Sequence, residues 1–88
     1  MTVLFSPGRV VATQGAAEIP MEVLLSALKR HLSGDWGDVS EGDKELNDEA
    51  VKGGDRILSS YRAPDKTKFW IITECDRSAT TFLLPDEY

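Results

Sequence analysis

The stretch Lys68-Phe-Trp-Ile-Ile-Thr-Glu-Cys-Asp-Arg-Ser-Ala-Thr-Thr-Phe-Leu-Leu-Pro-Asp-Glu-Tyr88 decides the fold. Two strand-like runs, Lys68 to Glu74 and Ala79 to Leu84, flank a polar corner at Cys75-Asp76-Arg77-Ser78 that is short enough to close an antiparallel hairpin. In the first run Phe69, Ile71 and Thr73 oppose Trp70, Ile72 and Glu74. Its centre is therefore apolar on both faces, which suits a middle strand. Upstream, Arg56 to Ala63 also has period two, with Ile57, Ser59 and Tyr61 opposed to Leu58, Ser60 and Arg62. Pro64-Asp65-Lys66-Thr67 joins it to the next run as a second hairpin.

Further toward the N-terminus the period changes. Met21, Leu24, Leu25, Leu28 and Leu32 recur at spacings of three and four, so a helix runs from Pro20, which suits a first turn, to Ser33-Gly34. Lys29, Arg30 and His31 fall in its last turn, where positive charge complements the helix dipole. Ser40 with Asp43 forms a capping-box-like start for a second helix through about Lys52, which Gly53-Gly54 stops. Leu46, Ala50 and Val51 are its inward positions; Glu41, Lys44, Glu45, Asp48, Glu49 and Lys52 are its outward ones. Val3-Leu4-Phe5 and Arg9 to Thr13, interrupted at Ser6-Pro7-Gly8, read as an N-terminal strand with a turn or bulge. Gly15-Ala-Ala-Glu18 reads as a loop with a short helical turn. The order is β-α-α-β-β-β. It predicts one small α+β domain over residues 1–88, with a three- to four-stranded antiparallel sheet and two helices packed on one face.

Composition narrows the function. The chain of 88 residues carries a net charge of −5, and the acidity is local. Residues 1–34 sum to +1, residues 35–55 to −6 and residues 56–88 to 0. Phosphate neutralisation needs a basic face, so direct nucleic-acid binding is not expected. One Cys and one His make neither an internal disulfide nor a Cys/His metal cluster, and no cofactor motif is present, so no metal or cofactor is expected. No apolar run approaches a bilayer span and the N-terminus lacks a signal-peptide pattern, which predicts a cytoplasmic protein with no membrane partner.

Candidate chemistry is sparse. Asp76, Arg77 and Ser78 put an acid, a guanidinium and a hydroxyl on one corner. Arg77 there either clamps an anion or pairs with a carboxylate such as Asp35 or Asp38, while Asp76 and Ser78 bond turn amides. His31, Ser33, Asp35 and Asp38 supply the residue types of a nucleophile–base–orienter set, with nothing to enforce its geometry, so no catalytic residue is assigned. Cys75, at a strand end, reads as a half-buried small hydrophobe. Trp70 reads as sheet packing, whereas Trp36, on a Gly-flanked turn beside the acidic segment, is either tucked onto a helix or an exposed anchor for a partner.

Arg30-His-Leu-Ser-Gly-Asp-Trp-Gly-Asp38, Asp43, Asn47, Arg56-Ile-Leu-Ser-Ser-Tyr61 and Trp70 through Tyr88 resemble a family of small bacterial proteins labelled plasmid-related and carried on plasmids, integrative elements and phage-like regions. The resemblance spans roughly residues 9–88 and implies a mobile-element context without implying an activity. At the position of Cys75 relatives more often have Ala. Together with the acidic, motif-poor composition, this context predicts a non-enzymatic accessory protein that binds another protein, in its sharpest form a host defence protein inhibited as in anti-restriction or anti-CRISPR action. The expected surface is Asp35, Trp36, Asp38, Glu41, Glu45, Asp48 and Glu49. Two other readings stand beside it. One is an mRNA-cutting toxin similar to the RelE/ParE type, using Tyr61, Arg62, Arg77 and Tyr88; the other is a structural homodimer paired through a sheet edge.

Overall fold

The period-two runs form three antiparallel strands, β2 (Ile57–Arg62), β3 (Lys68–Thr73) and β4 (Ala79–Leu83). The computed structural model that shows them describes residues 3–88. Register follows the alternation: Ser59 lies opposite Ile71, Tyr61 opposite Phe69, and Ile71 opposite Phe82. One sheet face is therefore lined by Ile57, Ser59, Tyr61, Phe69, Ile71, Thr73, Thr80 and Phe82, all buried.

Where the hairpins predict an antiparallel sheet, the fourth strand makes it mixed. β1 (Arg9–Ala12) pairs with β4 in parallel, giving the order β1-β4-β3-β2. The cause lies just before β1. Thr80 Oγ1 donates to Pro7 O at 2.7 Å and the Arg9 amide to Ser78 O at 3.0 Å, so the chain enters β1 beside the start of β4 and runs the same way. Gly8 permits this approach: its φ is +62°, and a Cβ there would fall 2.3 Å from Arg77 O. Val3-Leu4-Phe5 is not a strand; Phe5 is buried in the core, and the Leu4 amide donates to Leu32 O. The expected helical turn near Gly15 is a 3-10 turn over Ala16–Glu18.

Two helices pack on one face of the sheet. Helix α1 (Met21–Leu32), with Pro20 at its N-cap, buries Leu24, Ala27, His31 and Leu32. Of the stripe that the spacing predicts, Leu24 and Leu32 are buried and Leu28 half-buried, whereas Met21 and Leu25 are exposed because the buried face is turned toward Ala27 and His31. Helix α2 (Glu41–Gly53) is capped by Ser40, whose hydroxyl accepts from the Asp43 amide at 3.1 Å, and it ends at Gly54 with φ +78°. Its inward residues are Asn47 and Ala50, whereas Leu46, read as inward from the sequence, is exposed. Asn47 reaches the outer edge of β2, donating to Leu58 O at 2.8 Å and accepting from the Leu58 amide at 3.2 Å. Further along the same edge the Ser60 amide donates to Trp36 O and Ser60 O accepts from the Asp38 amide, so the chain seals this edge itself. Among the described residues no helix is long and apolar enough to cross a membrane.

Gly37 is the tight point of that seal, with φ +75° and a hypothetical Cβ only 2.1 Å from Ser60 O. Gly37→Ala is expected to lower stability in urea denaturation by roughly 2–4 kcal/mol, from left-handed strain plus displacement of β2. Gly42→Ala, in open space on α2, is expected to raise it by roughly 0.5–1 kcal/mol.

Candidate functional site

A hydrogen-bonded polar cluster lies in the core. His31, expected in a dipole-facing last turn, is fully buried: Nδ1 is 2.5 Å from Ser59 Oγ and Nε2 is 2.9 Å from Thr73 Oγ1. Thr73 Oγ1 is in turn 2.8 Å from Thr80 Oγ1, which donates to Pro7 O. Phe5 and Trp36 meet the imidazole at near-perpendicular edges, with ring centres 5.3 and 5.8 Å away. Burial, helped by the charge of Arg77, pushes the imidazole pKa down to about 3. His31 is thus neutral at physiological pH, donating through one nitrogen and accepting through the other. The residue types suspected of forming a catalytic set do not assemble: Ser33 Oγ donates to Arg30 O, and Asp35 pairs with Arg30.

Trp36 is 3% exposed, so the exposed-anchor reading is corrected. Its indole N–H donates to Asp48 Oδ1 at 3.0 Å, which draws the ring beneath α2 and ties the 35–38 turn to that helix. Asp35 is exposed but committed to the fold. It takes two bonds from the Arg30 guanidinium, which hold its carboxyl below the usual range, and its main-chain carbonyl accepts from Tyr61 Oη at 2.6 Å. Burial raises the Tyr61 hydroxyl to about 12. Asp38 lies 3.8 Å from Arg62 across an exposed pair. Glu41, Glu45, Asp48 and Glu49 remain exposed on α2.

At the Asp76-Arg77-Ser78 corner, Asp76 Oδ1 accepts from the Ser78 amide, as expected. Among the described residues Arg77 pairs with no carboxylate, and its guanidinium is spent on main-chain carbonyls. At φ +60° its guanidinium donates to Asp55 O at 2.6 Å, Ala50 O at 2.8 Å and Glu74 O at 3.3 Å, and stacks over Phe5. It closes the carboxyl end of α2 with a charge of favourable sign. Cys75 is exposed rather than half-buried, because β3 ends at Thr73. The four toxin-like residues do not converge. Arg62 and Arg77 lie near opposite ends of the sheet, separated by about 17 Å of strand rise, and Tyr88 meets Trp70 edge-on with the Arg56 guanidinium over its ring.

A cleft of about 320 Å³ lies at the far end of β2 between Ile19, Pro20, Ala63, Pro64 and Leu84, with Glu18 and Asp65 on its rim. None of the candidate functional residues read from the sequence lines it. Among the described residues no group of His, Cys, Asp and Glu is placed to hold a metal ion. No family model matches the chain, and neither a curated protein nor a solved structure matches it.

The buried imidazole gives a pH signature. Its folded pKa lies below the unfolded value of 6.5, so between those values the unfolded chain binds the extra proton and stability rises with pH. The contribution is present above pH 6.5 and is lost as pH falls toward 3. Wild-type protein is expected to lose about 2 kcal/mol between pH 7 and pH 5, measured by urea denaturation. His31→Gln, which removes the only histidine, should be less stable at pH 7 but nearly flat across that interval. An equal slope in both proteins would place the titrating group elsewhere.

Proposed function

We propose that this chain is a non-enzymatic, cytoplasmic accessory protein of mobile genetic elements that acts by binding another protein through the acidic outer face of α2. The observation that carries this reading is the fate of the polar residues. Trp36 is buried, while Asp35, Asn47 and Arg77 are bonded into the fold. Glu45 and Glu49 stand exposed without a bonded partner among the described residues, beside Asp48 and Glu41. The surface expected from the sequence thus narrows to Glu41, Glu45, Asp48 and Glu49.

Such a face imitates the spaced negative charge of a nucleic-acid backbone and is complementary to a basic channel. A nuclease or CRISPR subunit of host defence has such a channel, and the resemblance to plasmid-related proteins supports that choice. Exposed Leu46 adds an apolar contact within the acidic face.

The test is affinity capture by the tagged protein from a bacterial host, with Glu41→Gln/Glu45→Gln/Glu49→Gln as control. Capture of a nucleic-acid-binding defence protein by wild type, at least tenfold reduced in the triple variant and weakened by added salt, is the expected result. Equal capture by both proteins would refute the surface. Growth arrest on expression, relieved by Arg62→Ala, would replace the reading with toxin chemistry.

A further inference from the structure

The two edges of the sheet are treated oppositely. The β2 edge is sealed by Asn47 and the 36–38 turn, whereas β1 is exposed along all four of its residues. The Arg9 and Thr13 amides point at Ser78 O and Phe82 O of the β4 side. By the period of two, Val10 and Ala12 turn their N–H and C=O groups outward. Beyond the charge of Arg9 at its start, Arg9-Val-Val-Ala12 has neither a proline nor a bulge to defend this edge. Val10 and Val11 are 42% and 37% exposed. On α1, Met21 and Leu25 share the helical stripe of Leu32, which takes the Leu4 amide, and they stand 67% and 48% exposed.

We infer that β1 is the seat of a second copy of this chain, the two β1 strands pairing antiparallel about a two-fold axis through Val11 to make one eight-stranded sheet. Self-complementarity argues for this occupant. In that register Val10 of each copy faces Ala12 of the other, so the outward donors and acceptors satisfy one another in four hydrogen bonds. Val11 packs on Val11 of the second copy as a close, non-hydrogen-bonded pair. Arg9 then lies opposite Thr13 of the second copy. The hydroxyl of Thr13 donates to the Glu87 carboxylate, which the Gly15 amide also holds. Arg9 has no ion-pair partner among the described residues, so the two-fold brings an unpaired cation to a fixed carboxylate, twice.

Sedimentation equilibrium from micromolar to millimolar chain tests the inference. Wild type is expected to pass from monomer to dimer. Val11→Lys, which sets two ammonium groups face to face at an exposed position, is expected to raise the dissociation constant tenfold or more, and Arg9→Glu to raise it in a salt-dependent manner. Register is read by cross-linking in a Cys75→Ala background, because that thiol is exposed. Val11→Cys should form an intermolecular disulfide under mild oxidation, and Val10→Cys, offset from its counterpart, should not. A monomer throughout the range, an association unchanged by Val11→Lys, or equal cross-linking at the two positions would overturn the inference. Capture experiments through α2 are independent of it, since α2 lies along the opposite edge.

Discussion

A neutral imidazole in the middle of the core is the constraint on which the rest of this structure depends. One apolar cluster gathers Ile19, Leu24, Tyr61, Phe69, Ile71 and Phe82; a second gathers Phe5, Leu32, Trp36, Ala50 and Ile57. Across the sheet between them runs a polar belt of Ser59, Thr73 and Thr80, and His31 descends from α1 to join it. The belt fixes three strands and a helix in one register and reaches the N-terminal segment through Pro7 O. Each hydroxyl in it is buried, so removing any member strands another polar group in an apolar medium.

The residues most conspicuous in the sequence largely serve this architecture. Asp35-Trp-Gly-Asp38 closes the β2 edge, and Trp36 locks that closure to α2 through Asp48. Arg77 gathers carbonyls from α2, from the residue before Arg56 and from the β3–β4 turn, holding three segments that share no helix or strand. Among the carboxylates that stay exposed, Glu41, Glu45, Asp48 and Glu49 lie together on α2. If two copies meet at β1, their α2 faces lie beside the outermost strands, which are seven strand spacings or roughly 34 Å apart. Such a dimer could engage a two-fold symmetric partner at two points with enhanced avidity.

Much of the fold was legible in periodicity. The alternation of Ile57-Leu-Ser-Ser-Tyr61 and Phe69-Trp-Ile-Ile72, the spacing of Leu24, Leu28 and Leu32, and the Ser40 and Gly54 caps are local signals, and the structure bears them out. The parallel placement of β1 was not legible, because it depends on contacts of Pro7 and Arg9 with residues about 70 positions away. His31 was misleading for a related reason. Basic residues in a last helical turn normally face solvent, and only the distant hydroxyls of Ser59 and Thr73 make burial tolerable. Trp36 could be placed by neither period nor charge, since its partner Asp48 sits among carboxylates that read uniformly as surface. For the candidate surface, sequence located the acidic segment; geometry shows Asp35 held by Arg30 and Asp48 holding Trp36, with Glu45 and Glu49 unbonded among the described residues.

The pairing of the first strand with the last bears on how the chain is made. Arg9 meets Ala79 in the sheet, so on the ribosome β1 has no partner until some 70 further residues have been synthesised. At roughly 5–20 residues per second, this interval is about 4–14 s. Throughout it Phe5 lacks the Arg77 that covers it, and the Thr80 end of the polar belt is missing. Translation order therefore makes the pairing of β1 a late step in completing the core, with the Val-rich segment around Val10 and Val11 waiting as an unpaired, chaperone-accessible stretch.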